Sequence, residues 1–103
     1  MVKQLATKAE FDAEIASDKL TVVDFTATWC GPCQRIAPKF EEMSNTYSDC
    51  QFVKVDVDAN AETAQACGIS CMPTFHFYKA GQKVDEMSGA NEEGLKQKIE
   101  ANK

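Results

Sequence analysis

The sequence predicts an α/β fold with one central mixed five-stranded sheet flanked by four helices. Strand-like and helix-like segments alternate over the first two thirds of the chain. The strand predicted at 20–26 is apolar on both faces except at Asp24, as in a sheet covered by helices on each side. Two strand-like segments with a short loop between them follow near the end. The expected order is therefore β-α-β-α-β-α-β-β-α, with a parallel half and a terminal antiparallel hairpin.

The first elements are a weak strand at 2–6 and a helix that begins after it. Thr7 and Glu10 have the spacing of a capping box, in which each side chain accepts a hydrogen bond from an otherwise unpaired amide. Phe11 and Ile15 lie four residues apart and predict one apolar helix face. This helix precedes the strand at 20–26.

After residues 29–33, an apolar stripe predicts a second helix. The stripe consists of Ile36, Phe40, Met43 and Tyr47. A strand at 51–57 follows, and Asn60 and Gly68 are suited to begin and end a short third helix. The segments 74–78 and 83–88 form the predicted hairpin around a glycine-containing loop at 79–82. Asn91 caps the last helix.

Length, composition and charge restrict the classes of function. With 103 residues, of which 44% are hydrophobic, the chain is expected to form a single domain over residues 1–103. Eleven basic and sixteen acidic residues give a net charge of -5, which disfavours nucleic acid and anionic membranes as partners. No segment has the apolar run of a signal peptide or a membrane span, so nothing in the sequence directs secretion.

The five cysteines are Cys30, Cys33, Cys50, Cys67 and Cys71. An odd number, in a chain with enough apolar residues for a core, disfavours a structural disulfide framework. A reducing compartment such as the cytosol is therefore expected, and a cytoplasmic location with it. Cys67 is interpreted as a small buried apolar residue and Cys50 as an inert thiol.

Cys30 and Cys33 fall at the predicted junction between a strand and a helix, and this position favours redox chemistry. The unpaired amides and the dipole of a helix start stabilise a thiolate, so Cys30 is expected to be the nucleophile. Cys33, one turn further in, is expected to resolve the mixed disulfide that Cys30 forms. Pro32 fits the first helical turn without loss of a hydrogen bond and stiffens the ring between the two sulfurs.

A zinc site is the alternative for such a pair, with Cys67 and Cys71 as its second half. The first pair, however, precedes a long amphipathic helix rather than lying on a zinc knuckle. The chain can also fill a core without metal. No metal and no other cofactor is therefore expected.

The segment Ala-Thr-Trp-Cys-Gly-Pro-Cys at 27–33 resembles the active-site segment of the thioredoxin family. The resemblance extends over essentially the whole chain, through the segments 22–25, 55–58, 72–75 and 88–90. It implies the thioredoxin fold. The presence of a cysteine at position 71 resembles animal cytosolic thioredoxins, in which such a cysteine can form an intermolecular disulfide. The chain departs from many relatives at Gln34 and Arg35, where a lysine often follows the second cysteine.

The resemblance implies roles for residues around the cysteine pair. Asp24 lies among apolar residues of its strand and is therefore expected to be buried, with Lys54 on the neighbouring strand opposing the rise in its pKa that burial causes. By the resemblance, Asp24 assists proton removal from Cys33. Asp58 is expected to bond the indole of Trp29. The alternatives are that Asp24 lies on a partly exposed strand, that Trp29 is a core aromatic, and that Lys54 is an ordinary solvated charge.

A substrate groove is also implied, with Pro73 as a cis-proline that faces the disulfide. The backbone of Met72 would pair with an extended substrate, and Gly89 would line the same groove. The expected substrate-binding residues are Trp29, Gly31, Pro32, Met72, Pro73 and Gly89.

The implied function is reduction of protein disulfides, followed by re-reduction of the chain by an NADPH-dependent thioredoxin reductase. The chain has no glycine fingerprint for a nucleotide, so NADPH and flavin would belong to the reductase. A redox-dependent regulatory binding module and a disulfide-forming or isomerising module are the alternatives. A monomer is expected in the reduced state, and a homodimer linked through Cys71 after oxidation.

Overall fold

The computed structural model describes residues 1–103 and contains five strands and four helices. The strands are β1 (Lys3–Gln4), β2 (Thr21–Thr26), β3 (Gln51–Asp56), β4 (Thr74–Lys79) and β5 (Gln82–Ser88). The helices are α1 (Lys8–Ile15), α2 (Gly31–Thr46), α3 (Ala61–Ala66) and α4 (Glu92–Asn102). The predicted α/β class and the predicted order of elements are both confirmed.

The five strands form one mixed sheet in the order β1-β3-β2-β4-β5. β1, β3 and β2 are parallel, whereas β4 and β5 are antiparallel to their neighbours. The register aligns the ends of β2 and β3 with the start of β4 and the end of β5. We call this boundary the upper edge; Thr26, Asp56, Thr74 and Ser88 mark it.

Each face of the sheet is covered by a separate apolar cluster. Val22 points toward α2 and α4, where it belongs to the cluster that contains Phe40 and Ile99. Val23 points to the opposite face and joins the cluster that contains Phe11 on α1. Because side chains alternate along a strand, Asp24 lies on the same face as Val22 and is directed to the side of α2.

Two local features differ from the sequence-based expectation. β1 is shorter than the predicted strand at 2–6, although the amide of Leu5 still donates to the carbonyl of Lys54 at 2.9 Å. The hairpin closes with a two-residue turn rather than a four-residue loop, and both Ala80 (φ 52°) and Gly81 (φ 83°) are left-handed. Hydrogen bonds of 2.8 Å from their amides to the carbonyls of Ser17 and Ile15, at and just after the end of α1, hold the turn in place.

Candidate active site

Cys30 and Cys33 form a disulfide at the start of α2, with their Cα atoms 5.3 Å apart. Cys30 is the N-cap residue, and its sulfur accepts a hydrogen bond from the backbone amide of Cys33 at 3.2 Å. Cys30 retains 6% of its surface and Cys33 only 1%, so Cys30 is the more accessible of the two residues. In the reduced form, the helix amides and dipole favour a thiolate at Cys30.

The loop before α2 is held by a set of hydrogen bonds to one carbonyl. Ala27, which is fully buried, accepts from the amide of Cys30 at 3.2 Å and from the side-chain amide of Gln34 at 3.0 Å. Pro32 occupies the first turn of α2, where it leaves no backbone hydrogen bond unmade. Gln34 was not among the predicted site residues, because its only signal in the sequence is its place directly after the second cysteine.

Asp24 is the buried carboxylate of the site. It is 3% exposed, and its Oδ1 is the one buried side-chain oxygen or nitrogen without a hydrogen-bond partner in the chain. Burial raises the pKa of Asp24 from 3.8 to about 7, and the positive charge of Lys54 opposes the rise. The expected burial of Asp24 is confirmed.

Lys54 lies directly opposite Asp24 in the pairing of β2 with β3. Both line a cavity of about 150 Å³, together with Gln34 and Asp56. The cavity connects the buried carboxyl group with polar side chains near the surface. Such a polar cavity is large enough for water, which can carry protons between Asp24 and solvent.

Met72 and Pro73 bring a second segment of the upper edge to the disulfide. Their peptide bond is cis, as expected, and the carbonyl oxygen of Met72 lies 3.8 Å from Sγ of Cys30. The amide of Gly89 donates to the carbonyl of Pro73 at 2.9 Å, which joins the end of β5 to this segment. Gly89 has φ 94°, a conformation that favours glycine.

Met72 forms no backbone–backbone hydrogen bond within the chain, and the one polar contact of its carbonyl oxygen is with Sγ of Cys30. This residue lies just before β4 and is half-buried against Cys30 and Cys33. An unpaired backbone amide and carbonyl beside a disulfide can pair with an extended segment of another chain.

Trp29 is exposed rather than part of the core, with 67% of its surface accessible. Its indole nitrogen donates to Oδ2 of Asp58 at 2.8 Å, which is the contact that the resemblance implied. Asp56 holds the Asp58 loop, because its Oδ1 accepts from the amides of Asp58 and Ala59 at 2.9 and 3.1 Å. The ring is therefore fixed in orientation while its faces remain available for contact.

The remaining cysteines are separate from the disulfide. Cys50 is buried and Cys67 is half-buried, and burial raises the pKa of both thiols. Cys71 is exposed, and hydrogen bonds from the hydroxyl groups of Thr74 and Ser88 lower its pKa. Sγ of Cys67 lies 3.7 Å from the hydroxyl of Tyr78, and Sγ of Cys71 lies 3.6 Å from that of Thr74.

No group of three or more ligating side chains is arranged to hold a metal ion. The four cysteines of the zinc alternative are not brought together. Gly31 at the start of α2 has nothing within 4 Å of the position that a Cβ would take, so no atom of the chain requires a glycine there.

Comparison with known proteins agrees with this geometry. The sequence model of the thioredoxin family matches residues 2–101. The chain is 55% identical to thioredoxin-1 of Schizosaccharomyces pombe over 102 residues, which are 99% of both chains. It is 52% identical to the thioredoxin of Homo sapiens over 101 residues, which are 96% of both chains.

A solved structure of Plasmodium falciparum thioredoxin superposes with a TM-score of 0.95 at 50% identity. The superposition covers 99% of this chain and 100% of that one. The four helices and the five-stranded sheet are therefore arranged as in the thioredoxin fold. From the family match and from the cysteine pair at the start of α2, we conclude that the chain belongs to the thioredoxin family and is a thiol-disulfide oxidoreductase.

Proposed function

We propose that the chain reduces disulfides of other proteins, with Cys30 as the nucleophile and Cys33 as the resolving thiol. The observation that carries the proposal is the position of the Cys30 sulfur at the N-cap of α2, where it accepts a hydrogen bond from the backbone amide of Cys33. The Cys30 thiolate attacks one substrate sulfur, forms a mixed disulfide and releases the other substrate sulfur as a thiolate. The Cys33 thiolate then attacks Cys30, releases the second substrate thiol and leaves the Cys30–Cys33 disulfide. Two electrons pass to the substrate.

Asp24 is proposed to accept the proton of Cys33 during the resolving step. Its burial on the side of α2, the free Oδ1 and the pKa of about 7 that burial gives it support this role. Lys54 is proposed to keep the carboxyl group titratable near neutral pH. Without this positive charge, the pKa of Asp24 would rise further.

The substrate is proposed to bind as an extended segment along the upper edge. Met72 supports pairing with such a segment, because it forms no backbone–backbone hydrogen bond and its carbonyl oxygen lies 3.8 Å from the Cys30 sulfur. Trp29, fixed by Asp58, offers an exposed aromatic surface beside it. Pro73 and Gly89 would line the groove, and Gly31 and Pro32, both exposed, would leave room for the approach.

An NADPH-dependent thioredoxin reductase is proposed to return the electrons to the chain. Membership of the thioredoxin family supports this partner, and the chain has no nucleotide-binding glycine motif of its own. The test is reduction of insulin disulfides by NADPH, a thioredoxin reductase and the protein. We expect catalysis by the wild type and by Cys50→Ser, and none by Cys30→Ser. Activity that survives in Cys30→Ser would contradict the proposal.

A homodimer linked through Cys71 is proposed to form on oxidation, from a monomer in the reduced state. The exposure of Cys71 and its lowered pKa, caused by hydrogen bonds from Thr74 and Ser88, support a reactive thiol. Peroxide would oxidise two Cys71 thiols to one disulfide and would itself be reduced to water. On non-reducing gels, we expect a covalent dimer from the wild type and from Cys50→Ser but not from Cys71→Ser. A dimer of the last variant would refute this role.

We also propose that residues 1–103 act as one domain in the cytoplasm. The family match over residues 2–101 supports a single domain. None of the four helices has the length and apolarity that a bilayer span requires. The location can be checked by fractionating cells that express the natural gene with an epitope tag.

A further inference from the structure

Arg35 and Lys39 are two exposed cations on α2 that have no partner within the chain. They lie four residues apart and therefore on the same helix face, one turn from each other. The six ion pairs of the structure involve only other lysines. No hydrogen bond within the chain holds either side chain, so both charges are free to meet an incoming molecule.

The strand order places these cations on one flank of the disulfide. Along the upper edge, Asp58 follows β3, Cys30 follows β2, Pro73 precedes β4 and Gly89 follows β5. Arg35 and Lys39 line a pocket of about 170 Å³ whose opposite wall includes Ala90, the neighbour of Gly89. The pocket thus borders the proposed groove on the side away from Asp58.

The two flanks of the groove carry opposite charges. One flank carries the carboxylate of Asp58, and the other carries the free cations Arg35 and Lys39. Glu92 also lines the pocket, but Lys96 lies 3.4 Å from its carboxylate and offsets its charge. Because the chain as a whole has a net charge of -5, a local pair of free cations beside the disulfide is a distinct electrostatic feature.

We propose that Arg35 and Lys39 select substrate proteins whose disulfide is flanked by acidic residues on the side that meets α2. The proposal rests on the disulfide-reducing function above and adds a substrate class to it. Exposed charges attract an oppositely charged segment mainly before contact, so they raise the rate of association more than the stability of the complex. The preference should therefore weaken as salt screens the charges over the Debye length, about 10 Å at 0.1 M.

The test uses the reduced full-length protein and three synthetic peptides, each with one intramolecular disulfide. The first peptide has glutamines on both sides of the disulfide, the second has three glutamates before it, and the third has three glutamates after it. The second-order rate constant is followed through the fluorescence of Trp29, the single tryptophan of the chain. At low salt, we expect one acidic peptide to react roughly threefold to tenfold faster than the glutamine peptide. The other acidic peptide, which would face Asp58, should gain nothing.

The double variant Arg35→Gln/Lys39→Gln should abolish this preference. Its matched control is Lys19→Gln/Lys79→Gln, which removes two other exposed positive charges beside β2 and β4, at the end of the sheet opposite the upper edge. Of these two lysines, Lys79 donates to the carbonyl of Asn102 at 3.3 Å. The control should keep the preference of the wild type. An equal loss in both double variants, or an unchanged preference in Arg35→Gln/Lys39→Gln, would overturn the proposal. If the wild type reduced none of the three peptides, that result would instead contradict the proposed function itself.

Discussion

Asp24 combines deep burial with a carboxyl oxygen that has no hydrogen-bond partner in the chain. Burial raises the pKa of Asp24 to about 7, so both protonation states are populated at neutral pH. A group of this kind can take a proton in one step and release it in another. Strands rarely bury a carboxyl group without a partner, because desolvation opposes its ionisation.

Asp24→Asn should slow the resolving step most strongly near neutral pH. We expect roughly a hundredfold loss at pH 7, at the lower end of what a positioned base contributes. The difference should shrink above the free-thiol pKa of about 8.5, where Cys33 ionises without help. Decay of the mixed disulfide, measured by rapid acid quench across pH 6 to 10, checks this prediction. If the ratio of the wild-type rate to the Asp24→Asn rate stayed the same across that range, Asp24 would not be the base.

The same substitution should stabilise the oxidised protein at neutral pH. Because burial raises the pKa of Asp24 from 3.8 to about 7, folding favours the protonated carboxyl group. The wild type therefore loses stability from this group as the pH rises from about 4 to about 7, whereas the asparagine variant does not. The difference in pKa corresponds to a gain of about 4 kcal/mol for the variant above pH 7. Urea unfolding at pH 4 and pH 8 measures it, and a gain equal at both values would contradict the linkage.

Individual residues differed in how far the sequence could predict them. Asp24 was expected to be buried because its neighbours in the strand are apolar. Its alignment with Lys54 required the register of two strands that are far apart in sequence. The bond from Gln34 to the carbonyl of Ala27 was not predicted, since capping rules pair side chains with amides at the helix start and not with a carbonyl three residues before the N-cap.

At the scale of elements, all four helices begin with the same hydrogen-bond pattern. The side chains of Thr7, Asn60 and Asn91 each accept a hydrogen bond from the backbone amide three residues further along the chain. In α2 the accepting atom is the sulfur of Cys30, with the amide of Cys33 as the donor. The atom that caps α2 is therefore also the proposed nucleophile, and capping in the reduced protein would stabilise its thiolate.

Asn60 and Asn91 provide a matched pair for testing the caps. Asn91→Ala removes an exposed cap and should lower the free energy of unfolding by about 1 kcal/mol. Asn60→Ala also removes a buried bond of 3.1 Å to the carbonyl of Leu5 and a bond of 2.9 Å from the hydroxyl of Thr63. Its loss should be larger, about 2 to 3 kcal/mol, because buried partners remain unpaired. Urea titrations of both variants decide this, and equal losses would refute the added role of Asn60.

The elements themselves were largely predictable, because caps and apolar periodicity are local signals. The capping box of Thr7 and Glu10 is present, as expected. The hairpin was predicted, but its turn at Ala80 and Gly81 is two residues shorter than the expected loop at 79–82, since alanine seldom adopts a positive φ. The amides of this turn donate to the carbonyls of Ile15, the last residue of α1, and of Ser17, two residues after it.

At the scale of the whole molecule, the strand order assembles the proposed site. The upper edge brings together segments from four connections, which contain Cys30, Asp58, Pro73 and Gly89. Sequence spacing alone identified only the cysteine pair. The other members were expected because the chain resembles the thioredoxins, and their adjacency depends on pairing between distant strands.

The mechanism depends on separate roles for the two cysteines, and the variant Cys33→Ser shows whether they are separate. The variant should be reacted with a protein disulfide and analysed by intact mass spectrometry and peptide mapping. Serine cannot attack the mixed disulfide, so a covalent adduct with substrate should accumulate at Cys30, whereas Cys30→Ser should form no adduct at Cys33. No adduct at Cys30 of the first variant, or an adduct at Cys33 of the second, would contradict the account.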